Sequence, residues 1–229
     1  MKTAAIIPAY NEEKSIAKVI KAIPENYVNE IIVVNNNSTD STVLVAKAAG
    51  ATVLNESFQG YGAACLKAIN YLSDKNFDII LFLDGDFSDF PEEAGLILEP
   101  IINNEFDFVL GSRVLGNREK GALTLQSRIG SIISGILIKL FWGIKYTDLG
   151  PFRAIKYDKL ISLKMKDKWY GWTVEMQIKA AKHSLKIKEV PVSYRKRIGK
   201  SKVTGTLKGT VMASIIIIKT IFSELVRDR

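Results

Sequence analysis

Two aspartates flank one glycine in Asp84-Gly85-Asp86, directly after the apolar run Ile79-Ile80-Leu81-Phe82-Leu83. Carboxylates at that spacing, just past a buried strand, can hold a hard divalent cation that bridges the phosphates of a nucleotide. Gly85 leaves room for the backbone to approach a ligand. Asp and Gly are also ordinary turn residues, so the segment taken alone reads equally as a solvated turn. Pro8-Ala9-Tyr10-Asn11-Glu12 closes another apolar run. Helix-opening amides there would face an anion, Tyr10 would stack on a base, and a carboxylate would hold a ribose or base edge. A helix cap with surface acids accounts for the same residues. Gln59-Gly60-Tyr61-Gly62-Ala63-Ala64 puts small residues where a helix begins, which suits a phosphate or close helix packing.

Cations gather later in the chain, at Arg113, Arg118, Arg128, Arg195, Arg197, Lys200 and Lys202. A diphosphate leaving group with a phosphate acceptor needs several such charges, and a basic surface facing water or anionic lipid would also carry them. His183 is the one histidine and is expected at the surface, at the end of a helix.

The elements that must position these residues follow from apolar periodicity. Residues 4–7, 30–34, 51–54, 79–83 and 108–110 read as strands, separated by helical patterns at 12–22, 41–49, 62–72 and 92–102. This alternation predicts an α/β fold with a mostly parallel, twisted sheet covered on both faces. Asn11 and Asp40 are expected as helix caps, Gly50 as a helix stop and Pro91 in a first helical turn. Helices follow at 125–142 and 172–181, an extended segment at 187–194, and an apolar helix at 206–225. Ligands of open α/β sheets bind beyond the carboxyl ends of the strands, where residues 8–12, 35–40 and 84–86 fall.

The chain has 229 residues, 47% of them hydrophobic and 24% charged, with a net charge of +8. That length and balance predict one globular domain, at 1–205, with a helical extension at 206–229. The charge favours anionic partners. The single cysteine, Cys65, forms no internal disulfide, which fits a reducing cytosol. Residues 1–8 do not read as a signal peptide, and neither 129–144 nor 211–218 reaches the roughly 18 to 20 apolar residues of a spanning helix. Both segments suit a membrane interface or a core. No Gly-x-Gly-x-x-Gly, Walker loop or nucleic-acid motif is present.

Together the motifs resemble family 2 glycosyltransferases. Val33-Val34-Asn35-Asn36-Asn37-Ser38-Thr39-Asp40 resembles that family's Val-Asp-Asp-Gly-Ser-Thr-Asp pattern; residues 8–12 resemble its opening motif and Asp84-Gly85-Asp86 its DxD motif. Gly111-Ser112-Arg113, Gln126-Ser127-Arg128, Thr147-Asp148, Phe152-Arg153-Ala154, Glu189-Val190-Pro191-Val192 and Arg197-Ile198-Gly199-Lys200-Ser201-Lys202 resemble the dolichol-phosphate mannosyltransferase and polyprenyl-phosphate glucosyltransferase branch. The likeness runs over residues 3–205 and implies a GT-A fold. It implies that Pro8, Ala9, Tyr10, Glu12, Asn36, Gly62, Asp84 and Gly85 hold the nucleotide sugar, and that Asp84 and Asp86 bind Mg²⁺ or Mn²⁺. Ser88 stands where relatives often carry a further ligand, Gln, with Asp89 next. By the same resemblance, Arg113, Arg128, Ser131 and Arg197 stand where the lipid-phosphate enzymes hold the acceptor phosphate. Asn35 and Asn36 replace the usual aspartates, and an amide at 36 could serve uracil or guanine. A UDP-sugar is favoured, with GDP-mannose the other donor. Leu149-Gly150-Pro151-Phe152 also departs from the family's usual stretch and marks a subgroup whose acceptor can differ.

The implied reaction is inverting transfer of a hexose to a polyprenyl- or dolichyl-phosphate lipid. A phosphate monoester, with a second pKa near 6, needs no strong base, whereas a hydroxyl acceptor does. Asp148 is the candidate catalytic group beside Asp86, as that base or as an orienting group. The alternatives are a hydroxyl acceptor, a nucleotidyltransferase, or a basic peripheral membrane-binding module without enzymatic activity. The extension and the basic stretch predict peripheral association with an anionic membrane surface, at its cytosolic face; packing of that helix on the domain, or a homo-oligomer, would use the same surface.

Overall fold

A computed structural model of the chain describes residues 1–199 and 207–226, with side chains of the last helix described at 212 and from 214 onward. Lys200 and Lys202 of the basic stretch, and the proposed boundary at 205/206, lie outside the described residues, as does the Lys208 side chain. Strand and helix alternate through β1 (Thr3–Ala9), α1 (Ile16–Ala22), β2 (Glu30–Asn35), α2 (Thr42–Ala48), β3 (Thr52–Asn55), α3 (Tyr61–Tyr71) and β4 (Ile79–Phe82). A 3₁₀ turn, Pro91–Glu93, opens α4 (Ala94–Ile102). Then come β5 (Phe108–Ser112), α5 (Leu125–Trp142), β6 (Arg153–Lys156), α6 (Tyr157–Ser162), α7 (Trp172–Lys182), β7 (Ile187–Pro191) and α8 (Leu207–Val226).

The seven strands form one sheet in the order β3-β2-β1-β4-β6-β5-β7. Pairings are parallel except at β6, which runs antiparallel to β4 and β5. Successive side chains of a strand point to opposite faces. In β1, Ala4 and Ile6 enter a core with residues of α3, α5, α7 and α8, while Ala5 and Ile7 enter one with residues of α1, α2 and α4. Because both faces are covered, the central strands are apolar without alternation.

Three local expectations change. Helix α1 starts at Ile16 instead of residue 12, because Asn11 takes a left-handed backbone (φ 54°) and residues 12–15 form a turn. Asn11 therefore caps no helix; its Oδ1 accepts from the Thr39 amide at 2.8 Å. Strand β7 stops at Pro191, short of 194. Helix α8 packs on the domain, a placement the sequence left open: Ile221 is fully buried in the main core, and Lys182 of α7 pairs with Glu224 at 3.0 Å. No described helix is long and apolar enough to cross a membrane. Gly50, at φ 94°, ends α2, Pro91 opens its turn, and His183 is exposed at the end of α7, as expected.

Candidate active site

A cavity of about 290 Å³ opens beyond the carboxyl ends of β1, β2 and β4. Pro8, Ala9, Tyr10, Glu12, Asn36, Asp84, Gly85, Asp86 and Arg197 line it, with Gln59, Gly60, Tyr61, Trp169 and Tyr170. The loops after β1 and β2 are laced together. The amides of Asn11, Glu12 and Glu13 donate to Ser38 Oγ, Thr42 Oγ1 and Asp40 Oδ2 at 3.0, 2.8 and 3.2 Å. These amides hold the neighbouring loop, so the anion-facing role expected for them does not apply. Asp40 also accepts from the Thr42 amide at 3.0 Å, one residue ahead of the cap position.

Asn36 is committed in the same way. Its Oδ1 accepts from the Gly60 amide at 2.7 Å, and its Nδ2 donates to the Phe58 and Glu56 carbonyls at 2.7 and 3.2 Å. Both amide hydrogens are spent on the loop wall, which leaves only carbonyl acceptor capacity toward a base. Gly62, expected at the nucleotide, is not part of the cavity wall. A Cβ there would collide with the Asp167 carbonyl oxygen. The amides of Gly62 and Ala63 donate to the Trp169 and Lys168 carbonyls at 3.1 and 3.0 Å. The small residues at the start of α3 thus dock the 167–169 loop, which carries Trp169 and Tyr170 to the cavity.

Asp84 and Asp86 stand just after β4. Burial first, then the like charges of Asp86 and Asp89, push the Asp84 carboxyl well above the ordinary carboxylate range. Burial likewise raises Asp89 to about 7, against the pull of Arg113. Asp86 Oδ1 accepts from the Ser88 amide and hydroxyl at 2.9 and 2.5 Å, and Oδ2 pairs with Arg197 Nη1 at 2.8 Å. Ser88 therefore braces Asp86. Among the described residues no cluster of three or more His, Cys, Asp or Glu side chains could hold a metal ion. Two carboxylates, one of them buried among like charges, still fit Mg²⁺ or Mn²⁺, which keep waters and take further ligands from phosphates.

A second cavity, about 210 Å³, shares Tyr61, Asp84 and Tyr170 with the first and runs between α5 and α8. Arg113, Ser127, Ser131, Leu149, Thr173, Ser214 and Ile217 also line it. Beside it Asp148 is saturated. Arg113 grips the carboxylate with Nε and Nη2 at 2.7 and 2.8 Å and donates its amide to Oδ2 at 3.0 Å. Ser131 Oγ and the Leu149 amide add bonds to Oδ1 at 3.1 and 2.8 Å. Burial alone would raise this carboxyl, but Arg113 and the donated hydrogen bonds outweigh it and hold Asp148 below its ordinary value. Glu189 accepts from the Thr147 and Asp148 amides at 2.9 and 3.2 Å, and Gln177 Nε2 donates to the Asp148 carbonyl at 3.0 Å. Arg153, fully buried, donates to the Gly150 and Thr173 carbonyls. Asp148, expected as a base or as an orienting group near the anomeric centre, here holds the Arg113 guanidinium in place through these bonds. Arg128 is exposed on α5 and belongs to neither cavity wall.

The mostly parallel sheet, with two cavities at its carboxyl edge and paired aspartates after β4, is the architecture of GT-A glycosyltransferases. The model of glycosyl transferase family 2 matches residues 4–162, and the chain belongs to that family. An uncharacterized glycosyltransferase of Mycobacterium tuberculosis is 31% identical over 213 residues, 91% of this chain and 92% of that one. The undecaprenyl-phosphate mannosyltransferase of Micrococcus luteus is 26% identical, covering 94% of this chain and 93% of the relative. The UDP-N-acetylglucosamine–dolichyl-phosphate N-acetylglucosaminyltransferase of Methanococcus voltae is 27% identical, covering 82% and 83%. Glucosyl-3-phosphoglycerate synthase from M. tuberculosis, solved with Mn²⁺, UDP-glucose and phosphoglyceric acid, has a TM-score of 0.76 at 22% identity. That likeness covers 98% of this chain and 79% of the synthase, and shows the shared fold.

Proposed function

We propose that this glycosyltransferase moves a hexose, with inversion, from a nucleotide-diphosphate sugar to a polyprenyl-phosphate-type lipid at an anionic membrane surface. The observation that carries the acceptor is the state of Asp148. It is buried, five times hydrogen-bonded and held ionised by Arg113, and Asp84 is the only carboxylate among the described residues lining the second cavity. With Asp84 given to the cation, a hydroxyl acceptor would find no other carboxylate there to serve as base; a phosphate, already mostly dianionic at neutral pH, needs cations and finds Arg113. Asp84, in the wall common to both cavities, marks where donor and acceptor would meet. Mg²⁺ or Mn²⁺ held by Asp84 and Asp86 would neutralise charge on the departing diphosphate. Tyr10, Trp169 and Tyr170 offer rings to the donor's base and sugar. A UDP-sugar is the favoured donor, with GDP-mannose the second.

The second cavity opens between two helices with exposed apolar faces. Ile132, Ile136 and Leu140 on α5 and Ile215, Ile218 and Phe222 on α8 are all exposed. No carboxylate lies between Glu119 and Asp148, a stretch that carries Lys120, Arg128, Lys139 and Lys145. An apolar face among cations suits an anionic bilayer, from which a lipid phosphate would enter the cavity directly. Two curated relatives are named for lipid-phosphate acceptors. The mycobacterial synthase, bound to phosphoglyceric acid, motivates a second reading with a small phosphorylated hydroxy acid as acceptor.

A panel of UDP- and GDP-sugars offered with a short polyprenyl phosphate and Mg²⁺ or Mn²⁺ tests the proposal. Transfer from one donor is expected, falling at least about a hundredfold in Asp86→Ala. Donor hydrolysis with no transfer to the lipid, but transfer to phosphoglyceric acid, would establish the second reading.

A further inference from the structure

Residues 194–198 cross the 84–91 loop as a strap. Tyr194 bridges the backbones of Asp89 and Arg118, and the Arg195 amide donates to the Ser88 carbonyl at 2.9 Å. The Arg195 guanidinium lies 3.7 and 3.9 Å from the ring centroids of Phe87 and Phe90, and its Nη2 donates to the Asp89 carbonyl at 3.0 Å. Phe87 reaches this position from a left-handed backbone, φ 60°, a conformation that costs a bulky residue energy. On the far side the Ile198 amide donates to the Asp86 carbonyl at 2.9 Å. The strap is thus pinned before and after Arg197, whose Nη1 rests on Asp86 Oδ2. Asp86 Oδ1 is bound by Ser88, so Oδ2 is the oxygen left for a cation, and Arg197 holds it.

We propose that Arg197 is the resident counter-charge of Asp86, exchanged for the divalent cation, and that this exchange turns its guanidinium toward the donor diphosphate. The proposal rests on the reading of Asp86 as a cation ligand. A guanidinium and a divalent cation on one carboxylate oxygen draw on the same lone-pair density, and their charges repel, so each weakens the other's hold. Arg197, which the resemblance put at the acceptor phosphate, lines the donor cavity and not the second one, so a side-chain rotation on a fixed strap suffices. Linkage makes the coupling reciprocal: the pair lowers cation affinity by the factor through which the cation disfavours the pair. In the cation-free chain Arg197 is withheld from anions; with cation and donor together it is released. Arg195 cannot substitute, being held between two rings.

The test measures Mn²⁺ affinity by electron paramagnetic resonance, without sugar nucleotide, on the full chain and on Arg197→Gln and Asp86→Asn. Arg197→Gln is expected to bind Mn²⁺ about tenfold more tightly than the wild type, and Asp86→Asn to lose binding. Because deleting any nearby positive charge aids a cation, a second readout follows the Arg197 guanidinium ¹⁵N signals during Mg²⁺ titration. They are expected to shift along the Mg²⁺ binding curve. Equal or weaker Mn²⁺ affinity in Arg197→Gln, or guanidinium signals unmoved while Mg²⁺ binds, would overturn the exchange alone. Failure of both wild type and Arg197→Gln to bind Mn²⁺ would overturn the reading of Asp86, and the exchange with it.

Discussion

Changing Asp148 to Asn would leave the Arg113 guanidinium buried beside a neutral amide. Losing one partner of a buried ion pair costs about 3–5 kcal/mol, so urea unfolding at pH 7 should show a loss of that order. The sign of the pH dependence follows from the lowered carboxyl. Its contribution is fully present above its ordinary value near 4 and is lost as pH falls through the lowered one; stabilities of wild type and Asp148→Asn should therefore converge in acid. Transfer to a phosphate acceptor should rise with pH through about 6, the acceptor's own second ionisation, and then level off. A further rate limb that is lost in Asp148→Asn, and not in variants of the raised carboxyls Asp84 and Asp89, would contradict the orienting role. Asn36→Asp would restore the family's common residue and yet should weaken the protein. It sets a carboxylate against the Phe58 and Glu56 carbonyls and removes both donors, at about 1–3 kcal/mol. Thermal unfolding and UDP calorimetry should both register the loss. The motif at 33–40 was legible, but the purpose of its amide was not, because the two carbonyls it serves lie 20 and 22 residues away.

The start of α3 shows how an element can mislead. Glycine and alanine at a helix N-terminus suit a phosphate, but here the helix amides are taken by carbonyls of the 167–169 loop. Gly62→Ala should push that loop away, costing about 1–3 kcal/mol through overpacking, shifting Trp169 fluorescence and weakening the donor. Unchanged fluorescence and UDP affinity would show that the loop tolerates the methyl group. Strands β1, β2 and β4 were readable because burial on both faces makes them continuous apolar runs. Strand β6 was not: four residues long, it begins with the buried cation Arg153 and ends with Lys156, and its antiparallel pairing has no local signature. Trp169 and Tyr170 were missed at the donor cavity because they arrive on a loop without a recognised motif.

For the molecule as a whole, the proposed function puts the exposed apolar faces of α5 and α8 against the membrane. Ile136→Glu combined with Leu140→Glu lies on exposed positions, so folding should be unaffected while flotation with anionic vesicles is lost. Binding by the parent chain should weaken with salt and with neutral lipid. Undiminished flotation of the double variant would remove α5 from the membrane contact. Helix α8 had been readable as interfacial or as packed, and the structure assigns it a buried and an exposed side at once.

Both cavity walls draw most of their residues from 4–162, and Tyr61, Asp84 and Tyr170 belong to both. The two recesses are therefore not independent parts. A substitution at any of those three positions is felt on both sides, so a change that reshapes one recess constrains what the other can become.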